Sequence, residues 1–406
     1  MTKSLMLNIT GFDKPGITAQ LFDALPKEIT ILDVEQVVVK GILTLAVLIE
    51  ITPEVDASEI ADSVRATISA AGMQISTEVT DNKDNDHPAQ LVITVLGSPL
   101  NGNALSTISQ IVAKNGANID RIERIASYPV TALELKISQG EIAGLRRSLA
   151  AAAAAHGFDI AVQEGGLRRR GRQLVVMDVD STVIQDEVVE LLAEKAGAGE
   201  KVKEITARAM AGELDFEQSL RERVSLLKGL TESVFSEVLQ EIRLTPGAKT
   251  LCRVLKSLDF HVALVSGGFI QVVQPLGEML NVDHVEANDL EVIDGVLTGN
   301  ILGKVVDRAG KAAALKKFAE DHGIPLSRTI AIGDGANDLD MLDAAGLGIA
   351  FNAKPIVQNA ADASVNVPYL DTVLYLLGIT RAEIEKFDAD SGLQAEYKPI
   401  HHNHDH

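Results

Sequence analysis

The stretch Leu174-Val175-Val176-Met177-Asp178-Val179-Asp180-Ser181-Thr182 decides how the larger part of this chain is read. Four apolar residues stop abruptly at two acids and two hydroxyls. A short apolar run bounded by polar turn residues is the pattern of a buried strand with a polar carboxyl end. The same grammar returns twice. Val262 to Val265 runs into Ser266-Gly267-Gly268, and Thr329 to Ile332 runs into Gly333-Asp334-Gly335-Ala336-Asn337-Asp338. Helical segments lie between these runs, as parallel strands joined by crossovers require. Open parallel sheets gather ligands at the carboxyl ends of their strands. From Leu174 onward the sequence therefore predicts an α/β domain whose chemistry sits at one edge of its sheet.

The residue types at those strand ends are informative. Asp178 and Asp180, two residues apart, are expected to face the same side, one to attack and one to handle a proton. Asp334 and Asp338 bring two more carboxylates, with Asn337 between them. Holding four carboxylates together costs about 3 kcal/mol per pair at roughly 5 Å and an effective dielectric of about 20. A hard divalent cation removes that repulsion, and an oxygen-only donor set suits Mg²⁺ rather than Zn²⁺. Ser266 and Gly267 offer a hydroxyl and unhindered backbone N–H groups to an anion. Lys311 follows Gly310 at a helix start and supplies a point charge for a phosphoryl group. From the residues alone, Lys316 and Lys317 are equally good candidates.

Upstream, the first 165 residues repeat themselves. Gly11 and Gly16 return as Gly97 and Gly102, Ile31-Leu32-Asp33 as Asn118-Ile119-Asp120, and Ala71-Gly72 as His156-Gly157, at offsets of 86, 87 and 85 residues. A period that long is a duplicated domain, not a solenoid unit. Each copy reads strand, helix, two strands, helix, strand, the ferredoxin-like βαββαβ order. The Ala150 to Ala155 run is read as a helix capped by Gly157. Residues 81–86 are a polar linker. Gly165 to Gly171, with three arginines, is read as a second, solvated joint. The expected limits are 1–82 and 88–165 for the two copies, 172–395 for the α/β domain, and a disordered His-rich tail over 396–406.

Composition narrows the partners. Lys and Arg number 37 against 57 Asp and Glu, for a net charge of -20. Such a field disfavours nucleic acid and anionic membranes. Cys252 is the one cysteine, so no intrachain disulfide forms, which fits a reducing cytoplasm. No apolar run is long enough to span a bilayer.

In order, Asp178-Val179-Asp180-Ser181-Thr182, Ser266, Lys311 and Gly333 to Asp338 resemble the four motifs of the haloacid dehalogenase superfamily, over about 174–377. The resemblance implies a Rossmann-like core with a helical cap, here about 185–244. It implies Asp178 as nucleophile and Asp180 as general acid and base. Mg²⁺ would be held by Asp178, the Asp180 carbonyl and Asp334, with support from Asp338. Ser266, Gly267, Lys311 and Asn337 would hold phosphate oxygens. Ion pumps of the same superfamily normally carry Thr at the position of Asp180 and need membrane helices, which does not fit. The cap segment Glu217 to Val224 resembles that of the phosphoserine phosphatases. That resemblance gives Glu187 the substrate ammonium, Arg223 its carboxylate, and Met210 and Phe216 the closing of the pocket.

The two N-terminal copies resemble ACT domains, which bind amino acids and often pair between subunits. Asp13 and Gly16 fall in the ligand loop of the first copy. Gly102 is the counterpart in the second, whose loop departs from the pattern. The resemblance implies a homodimer and a serine effector, with a purely structural dimerisation arm as the other reading. Phosphate transfer to another alcohol, action on another small phosphoester, and an amino-acid sensor without catalysis are the competing readings of the whole chain.

Overall fold

The computed structural model describes residues 3–52, 56–81, 90–210 and 213–393. The chain forms two compact units, Met1–His87 and Pro88–His406. The polar linker after Asp81 and the His-rich tail lie outside the described residues.

In the first unit, strands β1 (Lys3–Phe12), β2 (Ile31–Val39), β3 (Ile42–Ile51) and β4 (Gln74–Asp81) form an antiparallel sheet in the order β2-β3-β1-β4. The helices Ile17–Ala24 and Ala57–Ala70 complete the βαββαβ order. Alternation sets the faces: Leu5, Leu7 and Ile9 of β1 and Leu43, Leu45, Val47 and Ile49 of β3 are buried in one core with Ile60, Val64 and Ile68. Strand β2 stands at the sheet edge with every residue exposed.

The second unit begins with the same order: β5 (Leu91–Gly97), helix Gly102–Lys114, β6 (Asn118–Ala126), β7 (Thr131–Ser138), helix Ile142–His156 and β8 (Asp159–Glu164). Gly157 ends the alanine-rich helix at φ 70, a left-handed cap that glycine adopts at no steric cost. Seven further strands follow: β9 (Leu174–Met177), β10 (His261–Phe269), β11 (His284–Ile293), β12 (Val296–Leu302), β13 (Thr329–Gly333), β14 (Leu347–Phe351) and β15 (Ala363–Val365). Strands β11, β10, β9, β13, β14 and β15 are parallel neighbours, as the apolar runs predict. The antiparallel hairpin β11–β12 was not foreseen in the sequence.

The sheets of the repeat and of the α/β core are one. Strand β8 pairs antiparallel with β15, so eleven strands run continuously in the order β12-β11-β10-β9-β13-β14-β15-β8-β5-β7-β6. The seam is polar and satisfied. Buried Asp159 accepts from the backbone and side chain of Asn366, each at 2.7 Å, and Arg146 pairs with Asp362 at 2.6 Å. The joint over Gly165 to Gly171 corrects the expectation of a solvated linker. Residues Leu167–Arg170 make one helical turn, and Arg169 is buried against Glu134 at 2.7 Å and the Leu376 carbonyl at 2.9 Å. An arginine surrounded by fixed acceptors is tied down, not hydrated.

Between β9 and β10, four helices cover the carboxyl edge of the sheet: Val188–Lys195, Gly199–Met210, Phe216–Ser225 and Ser233–Glu241. A bridge between Ile184 and Leu244 brings the ends of this segment together. Asp215 and Gln218 form a capping box that starts the third of these helices, the one carrying Phe216 and Arg223.

Candidate active site

Strand β9 is buried throughout and delivers Asp178 to its carboxyl end. The chain then makes one wide turn, Val179–Val183, closed by the Ile184 N–H on the Val179 carbonyl at 3.0 Å. Asp178 and Asp180 therefore share a side through a turn and not through strand alternation, as the sequence had suggested. Ser181 sits at φ 57, a left-handed conformation uncommon outside glycine, and its hydroxyl reaches Glu187 at 2.9 Å. Asp180 accepts from the Val188 N–H at 2.7 Å and from Ser266 Oγ at 2.9 Å. Ser266 Oγ in turn accepts from the Gly268 N–H at 2.7 Å. A Cβ on Gly268 would lie 2.9 Å from Ser266 Oγ and 3.0 Å from Asp180 Oδ2, so this close approach requires glycine.

Lys311 lies at the start of the helix Arg308–Asp321, which Asp307 caps through the Gly310 N–H. It is 1% exposed and lies 2.6 Å from Asp178 and 2.7 Å from Asp338. Lys317 is exposed near Glu286, and Lys316 is exposed as well, so the structure separates three lysines that the sequence left equal. Asp338 also accepts from the Gly335 N–H at 2.9 Å, which folds the Gly333 to Asp338 loop back on itself. A Cβ on Gly333 would collide with the Asp338 side chain. Asp334 accepts from Thr182 at 3.3 Å.

Carboxylate oxygens of Asp178, Asp334 and Asp338 all lie within 4.8 Å of one another. Burial, then the Asp338 charge, raises Asp178 well above the usual carboxylate range. Burial raises Asp180 too. Burial followed by the Asp338 charge pushes Asp334 to about 6. Lys311 is raised too: burial works against its charge, but Asp178 and Asp338 outweigh it and hold the ammonium protonated. One lysine cannot neutralise this many buried acids. A hard cation with oxygen ligands fits the donor set, which contains no thiolate or imidazole.

These groups open into a cavity of about 470 Å³. Asp178, Asp180, Gly267, Asp334 and Asn337 line it, together with Glu187, Phe216 and Arg223 from the cap segment. Burial, then the Asp180 charge, pushes Glu187 to about 7, and burial lowers Arg223. Ser266 and Lys311 stand behind the wall and act on groups that line it. Met210 ends its helix, and its side chain lies outside the described residues.

Sequence reasoning missed Asn288. This buried amide on β11 donates to the Gly267 carbonyl at 2.8 Å and accepts from the Val306 N–H at 2.7 Å, fixing the glycine loop to the approach of the Lys311 helix. Nothing in its surroundings, Glu286-Ala287-Asn288-Asp289, singled it out. Lys354, Ile356 and Thr206 also line the cavity without having been singled out.

The three ACT candidates lie away from this site in sequence and chemistry. Gly16 is left-handed at φ 92 and starts the Ile17–Ala24 helix, and Asp13 is exposed, its N–H bonded to the Gly41 carbonyl. Gly102 is not the conformational counterpart of Gly16. Asn101 occupies the cap position of the second copy and accepts from the Ala104 N–H at 3.0 Å, so the sequence equivalence slips by one residue.

A parallel sheet with a helical cap, and an aspartate-and-lysine cluster at its carboxyl edge, define a phosphoryl-handling hydrolase. Residues 175–343 match the haloacid dehalogenase-like hydrolases, and residues 3–78 and 89–163 match ACT domains. The chain is 53% identical to a phosphoserine phosphatase of Streptomyces coelicolor, over 95% of this chain and 94% of that one. It is 47% identical to a phosphoserine phosphatase of Mycobacterium tuberculosis, over 96% and 97%. A solved structure of a probable phosphoserine phosphatase from Vibrio cholerae is similar at 34% identity and a TM-score of 0.57, covering 73% of this chain and 89% of that one. The chain belongs to the phosphoserine phosphatase family of haloacid dehalogenase-like hydrolases and carries two N-terminal ACT domains.

Proposed function

We propose that this enzyme hydrolyses O-phospho-L-serine to L-serine and phosphate through a phospho-aspartyl intermediate on Asp178. The observation that carries this reading is one cavity lined both by Asp178 and Asp180 and by the opposite charges Glu187 and Arg223. Phosphoserine is a zwitterion with a phosphate at its far end, and this charge layout complements it.

In this mechanism Asp178 Oδ attacks phosphorus in line, and the serine oxygen leaves with a proton from Asp180. The proton is available because burial keeps the Asp180 carboxyl above its ordinary range. Asp180, now ionised and held by Ser266 and the Val188 N–H, takes a proton from the water that opens the acyl phosphate. Lys311 balances charge on Asp178 and on the phosphoryl oxygens, with Ser266, the Gly267 backbone and Asn337 as further phosphate ligands. Asp178, the Asp180 carbonyl and Asp334, supported by Asp338, would hold Mg²⁺. That ion would neutralise the phosphoryl group and the acid cluster. Glu187 receives the ammonium and Arg223 the carboxylate, while Phe216 and Met210 shield the pocket from water.

The same reading makes the enzyme a cytoplasmic homodimer in serine biosynthesis, restrained by L-serine bound at the ACT loop of Asp13 and Gly16, with Gly102 as the weaker counterpart. The buried, unpaired Cys252 is compatible with a reducing compartment. Among the described residues no helix is long and apolar enough to cross a membrane.

The test is phosphate release from L-phosphoserine, L-phosphothreonine and an aryl phosphate, with Mg²⁺ and with chelator. Strong preference for phosphoserine, lost on chelation and regained with Mg²⁺, is the expected result. Equal rates on all three would remove the assignments of Glu187 and Arg223, and transfer to an added alcohol would replace hydrolysis by phosphotransfer.

A further inference from the structure

Three histidines meet at the amino ends of the core strands, opposite the carboxyl ends that carry the acid cluster. His261 is the first residue of β10, His284 is the first of β11, and His322 directly follows the helix Arg308–Asp321. The Nε2 atoms of His284 and His322 face each other at 2.6 Å. Each of these two rings is backed by another. His322 stacks on His261 with centroids 3.6 Å apart and planes 22° apart, and His284 stacks on Phe318 at 4.8 Å and 13°. His261 and His284 are half-buried and His322 is exposed, so the pair lies within reach of solvent.

The electrostatics around the pair suit a ligated cation. Burial, then the His322 charge, lowers both His284 and His261. These imidazoles are held toward the neutral form, which is the form that ligates a metal. Asp283 and Asp321 both act on His284 in the direction that favours positive charge there. Asp283 is itself fixed by Lys256 at 2.5 Å and by the Val262 N–H at 2.8 Å. With one ring donating, the contact of His284 and His322 is a hydrogen bond. With both Nε2 atoms deprotonated, it is a pair of convergent lone pairs.

We propose that His284 and His322 form a binding site for one divalent transition-metal ion of the zinc, nickel or copper kind, held by their two Nε2 atoms and completed by water. Two imidazole nitrogens at about 2.0–2.1 Å from one tetrahedral ion stand about 3.3 Å apart, so the pair opens by about 0.7 Å. A small turn of the exposed His322 side chain supplies that opening. The donor chemistry is the reverse of that in the catalytic cavity: imidazole suits these ions, whereas carboxylate oxygens suit Mg²⁺. An ion here ties the end of the Arg308–Asp321 helix, which carries Lys311 near its start, to the first residue of β11.

Equilibrium dialysis of the full chain against Ni²⁺ and Zn²⁺ tests this on wild type, His322→Gln and His284→Gln. The acid cluster and His401, His402, His404 and His406 of the tail are common to all three proteins, so only the difference between them reports on the pair. Wild type is expected to hold one more ion per chain than either variant at micromolar metal. Loss of one of the two ligands should weaken the site roughly tenfold or more, at least as much as removing an outer-shell partner of a ligand does. The ion should also raise the melting temperature of wild type more than that of either variant, because it joins two elements of the fold. His322→Gln, at an exposed position, should melt like wild type without metal, which guards against a folding artefact. A large excess of Mg²⁺ should leave the difference in place. Equal ion binding in wild type and both variants, displacement of the extra ion by Mg²⁺, or filling of the extra site only at millimolar metal would overturn the proposal. A metal-induced rise in melting temperature that both variants keep in full would overturn it as well.

Discussion

Buried charge does two different things in this molecule, at the catalytic cavity and at the seam between β8 and β15. At the seam each charge is matched. Arg169 has Glu134 and two carbonyls, Arg146 has Asp362, and Asp159 has two donors from Asn366 and one from Val367. At the cavity, Asp178, Asp180, Asp334 and Asp338 share a single lysine. Matched buried charge fixes geometry, whereas unmatched buried charge stores a demand that a cation or a phosphate meets. The same residue types thus serve position in one place and reaction in the other.

The sharpest way to break the comparison is Asp178→Asn. It should lower phosphate release from phosphoserine about ten-thousandfold or more, since a nucleophile has no substitute. The melting temperature should stay the same or rise, because like-charge repulsion with Asp338 is relieved and Lys311 keeps Asp338 as its partner. Arg169→Met should do the reverse. It leaves Glu134 without its guanidinium partner and the Leu376 carbonyl with Gln163 alone, and should cost about 3 kcal/mol or more in urea unfolding of the second unit. Turnover per folded molecule should hardly change.

Asn288→Ala probes the boundary between the two regimes. It strands the Gly267 carbonyl and the Val306 N–H, so stability should fall by about 1–3 kcal/mol and kcat/KM roughly tenfold. The smallest effect is a pH dependence. Burial and Asp180 raise Glu187 to about 7, so its ionised form, which the substrate ammonium needs, fills as pH rises through that value. KM for phosphoserine should therefore fall modestly across neutrality. Stability has the opposite sign, since a carboxyl with a raised folded pKa contributes stability below its unfolded pKa and loses it as pH passes about 7. Glu187→Gln should flatten both profiles.

What was legible in the sequence were features written in contiguous residues. The strand ends at Asp178, Ser266 and Asp334 were legible because three short apolar runs each stop at acids or glycines; any one of them alone reads as an ordinary turn, and their ordered recurrence is what points to one ligand-binding sheet edge. The duplication was legible because its landmarks are likewise short and contiguous. Lys311 was not distinguishable from Lys316 and Lys317, because its burial depends on Asp307 capping its helix and on Asp338 arriving from elsewhere in the chain. Asn288 was missed because its partners, Gly267 and Val306, lie about 20 residues to either side and meet it only through the β11–β12 hairpin. Arg169 was misread because a run of arginines looks solvated until the carbonyls of Tyr375 and Leu376 are placed beside it.

The pairing of β8 with β15 has a consequence for how this enzyme avoids edge-to-edge aggregation of its core sheet. Strand β15 is only three residues long, and the core sheet ends there. Without β8 its Ala363 and Ser364 backbone groups would form an open edge, a template on which another copy could add strands. The repeat caps that edge and moves the end of the sheet out to β6, whose sequence Asn118-Ile119-Asp120-Arg121-Ile122-Glu123-Arg124 places charged residues along most of its length. Charge on an edge strand discourages edge-to-edge aggregation, so trimming the chain back to its catalytic core would remove a gatekeeper along with the ACT repeat.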